Sequence, residues 1–246
     1  MAGLKRSLSA FASGLLDLCF PRSCIQCGCA MESHAGYVCS DCCKGLFAIA
    51  QPACPTCGGA IFGQIIAPRR CPNCVTLEPA FTEGRSLFLM RDAARQLVLT
   101  LKYQRGLYAL RQMEALDREA EGLADFLRGA TLVPVPLHPS RQRWRGFNQS
   151  HLLAQRFAQL GEGCCVRSLL IRRINTPTQT RLAPAQRAEN VRDAFRLRHP
   201  KRPLDPEARF LIVDDVLTTG STVDACARVL TQGGARRVGI LTFCHG

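Results

Sequence analysis

Two adjacent carboxylates, Asp214 and Asp215, follow the apolar run Phe210-Leu211-Ile212-Val213 and precede Thr218-Thr219-Gly220-Ser221-Thr222. Four consecutive apolar residues suit a short strand buried on both faces of a parallel sheet. The acids then fall at its C-terminal end, where open α/β sheets hold their ligands. After the hydroxyl-rich turn, Val223, Cys226, Ala227 and Leu230 recur on one helical face, and Gly233-Gly234 stops the helix. Hydroxyls and backbone N–H groups gathered at a helix N-terminus suit a phosphate. The turn has no lysine and no Gly-x4-Gly-Lys, which excludes a nucleoside-triphosphate P-loop. Carboxylates beside it would repel a bare polyphosphate but suit sugar hydroxyls and a divalent cation. Together these features describe a ribose 5-phosphate carrying a pyrophosphate at C1.

A second chemistry lies near the N-terminus. Of the 15 cysteines, eight form four Cys-x-x-Cys pairs: Cys24/Cys27, Cys39/Cys42, Cys54/Cys57 and Cys71/Cys74. The arrangement repeats, a Cys-x-x-Cys-Gly knuckle being followed each time by a plain Cys-x-x-Cys. Each half therefore offers four thiolates with the spacing of a tetrahedral Zn2+ site. Two structural zincs in sequential halves are expected, with an interleaved cross-brace as the alternative. Closed four-thiolate sites leave no open position for catalysis. Cys19, Cys29, Cys43, Cys164, Cys165, Cys226 and Cys244 lack this spacing, and Cys226 and Cys244 read as core residues.

These groups need a frame. An apolar content of 47% against 21% charged residues supplies a globular core, and no apolar run is long enough to span a membrane. Leu4, Leu8, Phe11, Leu15 and Leu18 describe an amphipathic helix that packs on the body of the protein, a membrane-surface helix being the alternative. No export signal is legible and the thiolates need a reducing compartment, so a cytoplasmic protein is expected. Residues 1–80 form the expected helix and zinc-knuckle domain and 81–246 an α/β domain. In the latter, strands are expected at 85–90, 132–136, 164–171, 210–213 and 237–243. Helices are expected at 91–103, 107–127 and 147–160. The alternation implies a mostly parallel sheet flanked by helices.

The net charge of +13 belongs mainly to the α/β part. Arg141, Arg143 and Arg145 lie in a proline-stiffened loop before Gly146-Phe147-Asn148-Gln149, where guanidinium groups near a helix N-terminus suit a pyrophosphate. A second polar stretch carries Gln179, Arg187 and Asn190 and reads as a long exposed loop. His138, between Leu137 and Pro139, ranks below the arginines as a ligand.

The acidic pair with its Thr-Thr-Gly-Ser-Thr turn resembles the phosphoribosyl-diphosphate (PRPP) signature of type I phosphoribosyltransferases. With the cysteine knuckles, Arg145-Gly146-Phe147-Asn148-Gln149 and Leu101-Lys102-Tyr103, nearly the whole chain resembles the ComF family, a double zinc ribbon followed by an amidophosphoribosyltransferase-like domain. The resemblance implies a type I phosphoribosyltransferase fold. Asp214 and Asp215 would hold the ribose hydroxyls and Thr218, Thr219, Gly220, Ser221 and Thr222 the 5′-phosphate. Mg2+ would accompany PRPP. If the protein is catalytic, Arg145, Lys102 and Asp215 would act in displacing pyrophosphate by a nitrogen nucleophile. Arg141, Arg143, Asn148, Gln149, Gln179, Arg187 and Asn190 would belong to the pyrophosphate and flexible loops. Purine-salvage members carry a carboxylate where Thr218 stands, so 6-oxopurine salvage is disfavoured, and no glutaminase is visible. The rival implication is a non-catalytic, PRPP-responsive protein that binds single-stranded DNA in natural transformation, with other competence proteins as possible partners.

Overall fold

The computed structural model describes residues 23–31, 36–63, 69–104, 106–175 and 193–246. Leu4 to Leu18, Cys19, Gln179, Arg187 and Asn190 lie outside them. Among the described residues a five-stranded sheet has the order β1 (Glu83–Leu89), β7 (Arg237–His245), β6 (Arg209–Leu217), β2 (Thr131–Pro134), β3 (Cys165–Val166). Every pairing within it is parallel. Helices α3 (Asp92–Tyr103), α4 (Tyr108–Arg118) and α7 (Gln149–Ala158) share one hydrophobic cluster with the sheet, built on Leu97, Leu101, Met113, Phe157 and Phe243. Helix α8 (Ser221–Gln232) covers the other face with Val223, Cys226 and Leu230 against Ile212 and Ile240.

Several expected boundaries move. The stretch 107–127 is not one helix: Gly122, at φ +66°, takes the left-handed conformation and separates α4 from α5 (Leu123–Leu127). The expected strand 164–171 divides into β3, in the main sheet, and β4 (Leu170–Arg172). Strand β4 pairs antiparallel with β5 (Phe195–Leu197), taken from the supposed polar loop. The proline-stiffened loop contains a helix, α6 (Pro139–Arg145). His138 caps it by accepting from the Ser140 N–H at 3.3 Å, and Pro139 supplies the fixed φ of a first turn.

Strand β6 is also longer than its apolar core, so Asp214 and Asp215 lie within it rather than beyond it. Pairing with β7 continues from Arg209↔Arg237 to Leu217↔His245, whereas β2 leaves the ladder at Pro134↔Val213. One side of β6 thus loses its neighbour just where the acids begin. Chain order also reverses there: β2 is followed by β3 on one side, and β6 by β7 on the other. Such a switch point opens a crevice at the strand ends.

The two cysteine knuckles repeat in three dimensions. Cys24 N–H donates to the Cys29 carbonyl at 2.8 Å, and Cys54 N–H to that of Gly59 at 2.9 Å. Gly28 and Gly58 both have positive φ and donate back to Cys24 and Cys54. Short helices α1 (Ser40–Lys44) and α2 (Pro72–Leu77) begin after Cys39 and Cys71. The N–H groups of Cys39 and Cys71 each donate, at 3.3 Å, to the sulfur of Cys24 and Cys54 respectively.

Candidate functional site

Asp214 and Asp215 are fixed by groups from two helices and by their own strand, with an arginine from a third helix nearby. Ser150, in the first turn of α7, donates to Asp214 Oδ1 at 2.8 Å, and the Asp215 N–H donates to the same oxygen at 2.9 Å. Lys102, near the end of α3, places Nζ 3.0 Å from Asp215 Oδ1. Arg145 closes α6, is buried, and donates to Gln149 while lying over the Tyr103 ring. Two buried atoms, Asp215 Oδ2 and Arg145 Nε, have no partner among the described residues. A buried polar atom without a partner is costly, and both belong to groups that converge on Asp215.

Burial, with Asp215 alongside, pushes the Asp214 carboxyl up to about 7, against the pull of Lys102 and the Ser150 bond. Burial works against the charge on Lys102, but Asp215 and Asp214 outweigh it and hold the ammonium above its usual range. Burial draws the Arg145 guanidinium down, and Arg141 adds repulsion. The centre is therefore a compact set of opposed charges, with Asp215 and Arg145 buried and Asp214 and Lys102 half-buried.

Beyond β6 the chain wraps a small hollow of ≈ 30 Å³, lined by Asp214 and by Thr218, Thr219, Gly220, Ser221 and Thr222. Gly220 takes φ +79° at the N-cap of α8, and the Thr219 and Ser221 hydroxyls lie 3.0 Å apart. Asp214 thus meets the hydroxyl-rich turn, with Asp215 and its partner Lys102 next to it. A larger cavity of ≈ 890 Å³ opens on the β2 side, between the α6–α7 corner and the β4–β5 ribbon. Arg143, His151, Arg172 and Arg198 are among its walls. Arg141 lies close enough to Arg145 and Arg172 to lower both guanidinium groups.

Asn148 turns out to hold backbone: its oxygen caps α7 through Ser150 N–H at 3.1 Å and its amide donates to the Val135 carbonyl at 3.0 Å. Gln149 orients Arg145. Ser150 was missed in the sequence, although it follows Gly-Phe-Asn-Gln directly. Its position in the first turn of a capped helix was the available signal.

Two cysteine groups have sulfurs within 4.8 Å of one another: Cys24, Cys27, Cys29 and Cys39, and Cys54, Cys57, Cys71 and Cys74. The second is the expected set. The first includes Cys29, which the spacing argument left out, while burial and the nearby thiols of Cys39, Cys27 and Cys24 push the Cys42 thiol up. Gly28 reverses the chain and returns Cys29 toward Cys27, whose sulfur is 3.3 Å away. Cys43 stays apart, its thiol directed to the Val38 carbonyl. Clustered thiols that accept backbone N–H groups are the donor chemistry of a soft, tetrahedral metal site.

Comparison with known proteins adds a family to this geometry. The phosphoribosyl transferase domain family matches residues 151–246. Competence protein F of Haemophilus influenzae is 28% identical over 219 residues, 87% of this chain and 93% of that protein. The DNA utilization protein YhgH of Salmonella typhi is 35% identical over 221 residues, 87% of this chain and 92% of that protein. The chain belongs to the ComF family. The Bacillus subtilis competence protein ComFC is also similar, at 23% identity over 80% of this chain and 79% of that protein. The parallel sheet with its flanking helices is the phosphoribosyltransferase fold, with the cysteine groups as the ComF zinc-ribbon region. No helix among the described residues is long and apolar enough to cross a membrane.

Proposed function

We propose that this ComF protein binds PRPP with Mg2+ at the β6–α8 corner and transfers its phosphoribosyl group to a nitrogen acceptor. The observation that carries this reading is the unpartnered, buried Asp215 Oδ2 on a carboxylate paired with Lys102, next in the strand to Asp214, which lines the Thr218–Thr222 hollow. Asp214 and Asp215 accept hydrogen bonds from the ribose hydroxyls, and the loop donates neutral N–H and O–H groups to the 5′-phosphate. Mg2+, held through the pyrophosphate and the acidic pair, would offset charge on the leaving group. Arg145 and Lys102 add fixed cations beside C1, where cleavage builds positive charge on the ring and negative charge on pyrophosphate. The cavity under β4–β5 is the place for the acceptor.

The two thiol groups fit Zn2+, and thiolate ligation of that kind needs a reducing compartment, which supports a cytoplasmic reading. A domain boundary near residue 80 separates this region from the transferase part, although side chains cross it.

A second reading, a PRPP-responsive protein that handles single-stranded DNA with competence partners, draws support from the same cavity. Arg143 in its wall is next in sequence to exposed Trp144, and Arg145 lies over the ring of exposed Tyr103, a pairing of cation and aromatic that suits a stacked strand. It agrees also with the names of the relatives.

Calorimetry with PRPP and Mg2+ tests the primary reading. Asp215→Asn should weaken binding by about 1.5–3 kcal/mol, the worth of a charge-assisted hydrogen bond, and Thr219→Ala by less. Absence of PRPP binding by the wild-type chain would sink it. Binding without turnover on any nitrogenous base, with DNA affinity that falls steeply with salt, would favour the second reading.

A further inference from the structure

The second cysteine group touches the phosphate loop directly. Asn73 stands between Cys71 and Cys74, and its amide donates to the Thr219 carbonyl at 3.2 Å. Leu77, at the end of the same helix, lies so close to Gly220 that a Cβ there would stand 2.9 Å from its methyl. Downstream, the Ala80 N–H donates to Asp224 Oδ1 at 2.8 Å, and Arg228 holds the other Asp224 oxygen at 2.8 Å. On the far side of the knuckle, Ser86 donates to the Cys57 carbonyl at 3.1 Å. The first group is tied elsewhere: Tyr37 N–H donates to Gln112 on α4, and its ring meets Tyr108.

We propose that the second cysteine centre positions the phosphate loop, with Asn73 as the positioning residue that links metal retention to phosphate binding. In a trans peptide the carbonyl and the following N–H point in opposite directions. Holding the Thr219 carbonyl toward α2 therefore fixes the Gly220 N–H away from α2. Helix α2 is itself held at both ends of its first turn by Cys71 and Cys74, so release of those thiols frees Asn73. Coupling between two sites is reciprocal, so a ligand on the loop must also strengthen the centre. The inference rests on the phosphate-binding reading of the loop, but its structural half can be tested without PRPP.

Two variants of the full chain separate the possibilities. Asn73→Ala removes the donor. Asn73→Asp keeps the shape and places an acid in a helical first turn, where it favours the helix. Hydrogen exchange without ligand should show faster exchange at residues 218–222 in both variants, with no change in the α3–α4 region. Chelator challenge of wild type should show one metal equivalent released about fivefold more slowly with saturating PRPP and Mg2+, the effect of one hydrogen bond. Neither variant should show that protection. Unchanged loop exchange in both variants, or equal PRPP protection in variants and wild type, overturns the coupling. If wild type binds no PRPP, the transferase reading fails while loop exchange still decides the positioning role.

Discussion

The two cysteine knuckles share a backbone but occupy opposite mechanical positions. In the first, Cys27-Gly28 is followed by Cys29; in the second, Cys57-Gly58 is followed by Gly59. Cys29 is exposed, whereas a Cβ at Gly59 would run into the His245 ring, 2.7 Å from Cδ2. The difference is one of surroundings. Cys54, Cys57 and Cys74 are buried in the cluster that contains Phe81, Val223 and Ile240. Only Cys24 of the first group is buried, and its cluster is that of α3 and α4. A sequence repeat thus gives one peripheral knuckle and one wedged against the end of β7 and the start of α8. Loss of metal should consequently have local effects in the first and reach the ligand site in the second.

The largest expected contrast comes from removing one buried and one exposed thiol. Cys57→Ser should cost several kcal/mol of stability and abolish PRPP binding, because a structural metal contributes its binding energy to folding. Cys27→Ser should weaken metal retention at the first centre yet leave PRPP binding within about twofold of wild type. Denaturation midpoints, metal content and calorimetry on both variants check this; equal loss of PRPP affinity would remove the asymmetry. Next in size is the equivalent pair at the turn. Gly59→Ala must displace the His245 ring and should cost about 1–3 kcal/mol, as overpacking does. Cys29→Ala, in the open knuckle, should shift stability by no more than about 0.5 kcal/mol.

The pH profile separates the knuckles in another way. Asp214 is held up to about 7, above the ordinary carboxyl value. The folded protein therefore keeps a proton there that the unfolded chain gives up, so this group's contribution to stability falls as pH rises toward 7 and is level beyond. Ligand binding runs the other way, since ribose hydroxyls need the ionised acceptor. PRPP affinity should rise about fivefold between pH 6 and 7 and by less than about twofold above. Asp214→Asn should remove the carboxyl's share of that slope, leaving the share due to the ligand's phosphates. Cys27→Ser should keep the wild-type curve, and a curve altered by that substitution would couple the first centre to the site.

How much of this was legible in the sequence depends on whether a feature is local. Phe210 to Val213 marked β6 because a doubly covered parallel strand is apolar throughout, and the acids that follow this run marked the candidate site. The end of β6 was not legible, since Asp214 to Leu217 is held in the strand by β7 alone. Gly122 could have marked the break between α4 and α5, but the apolar period runs on across it through Leu123 and Leu127. The division of 164–171 between two sheets depends on the pairing of Leu170 to Arg172 with β5, far along the chain at Phe195 to Leu197, and leaves no local trace. Asn73 was invisible for the same reason: nothing in Cys-Pro-Asn-Cys points to a carbonyl at position 219.

Cys29 tests how far spacing can be trusted, and its expected effect is the smallest. Five thiols surround the first centre, and a tetrahedral ion uses four. Cys29 and Cys42 are then alternatives for the fourth position beside Cys24, Cys27 and Cys39. Cys29→Ser should retain metal through Cys42, and Cys42→Ser should retain it through Cys29; only the double substitution should lose one equivalent. The second centre has no such reserve, because Gly59 stands where Cys29 would be, so each of its four thiols should be needed singly. Metal content after gel filtration reads the difference directly. Loss of metal in Cys42→Ser with none in Cys29→Ser would restore the set of Cys24, Cys27, Cys39 and Cys42. The reverse would make Cys29 the ligand and leave Cys42 a thiol packed beside the centre, in the middle of the short helix that starts from Cys39.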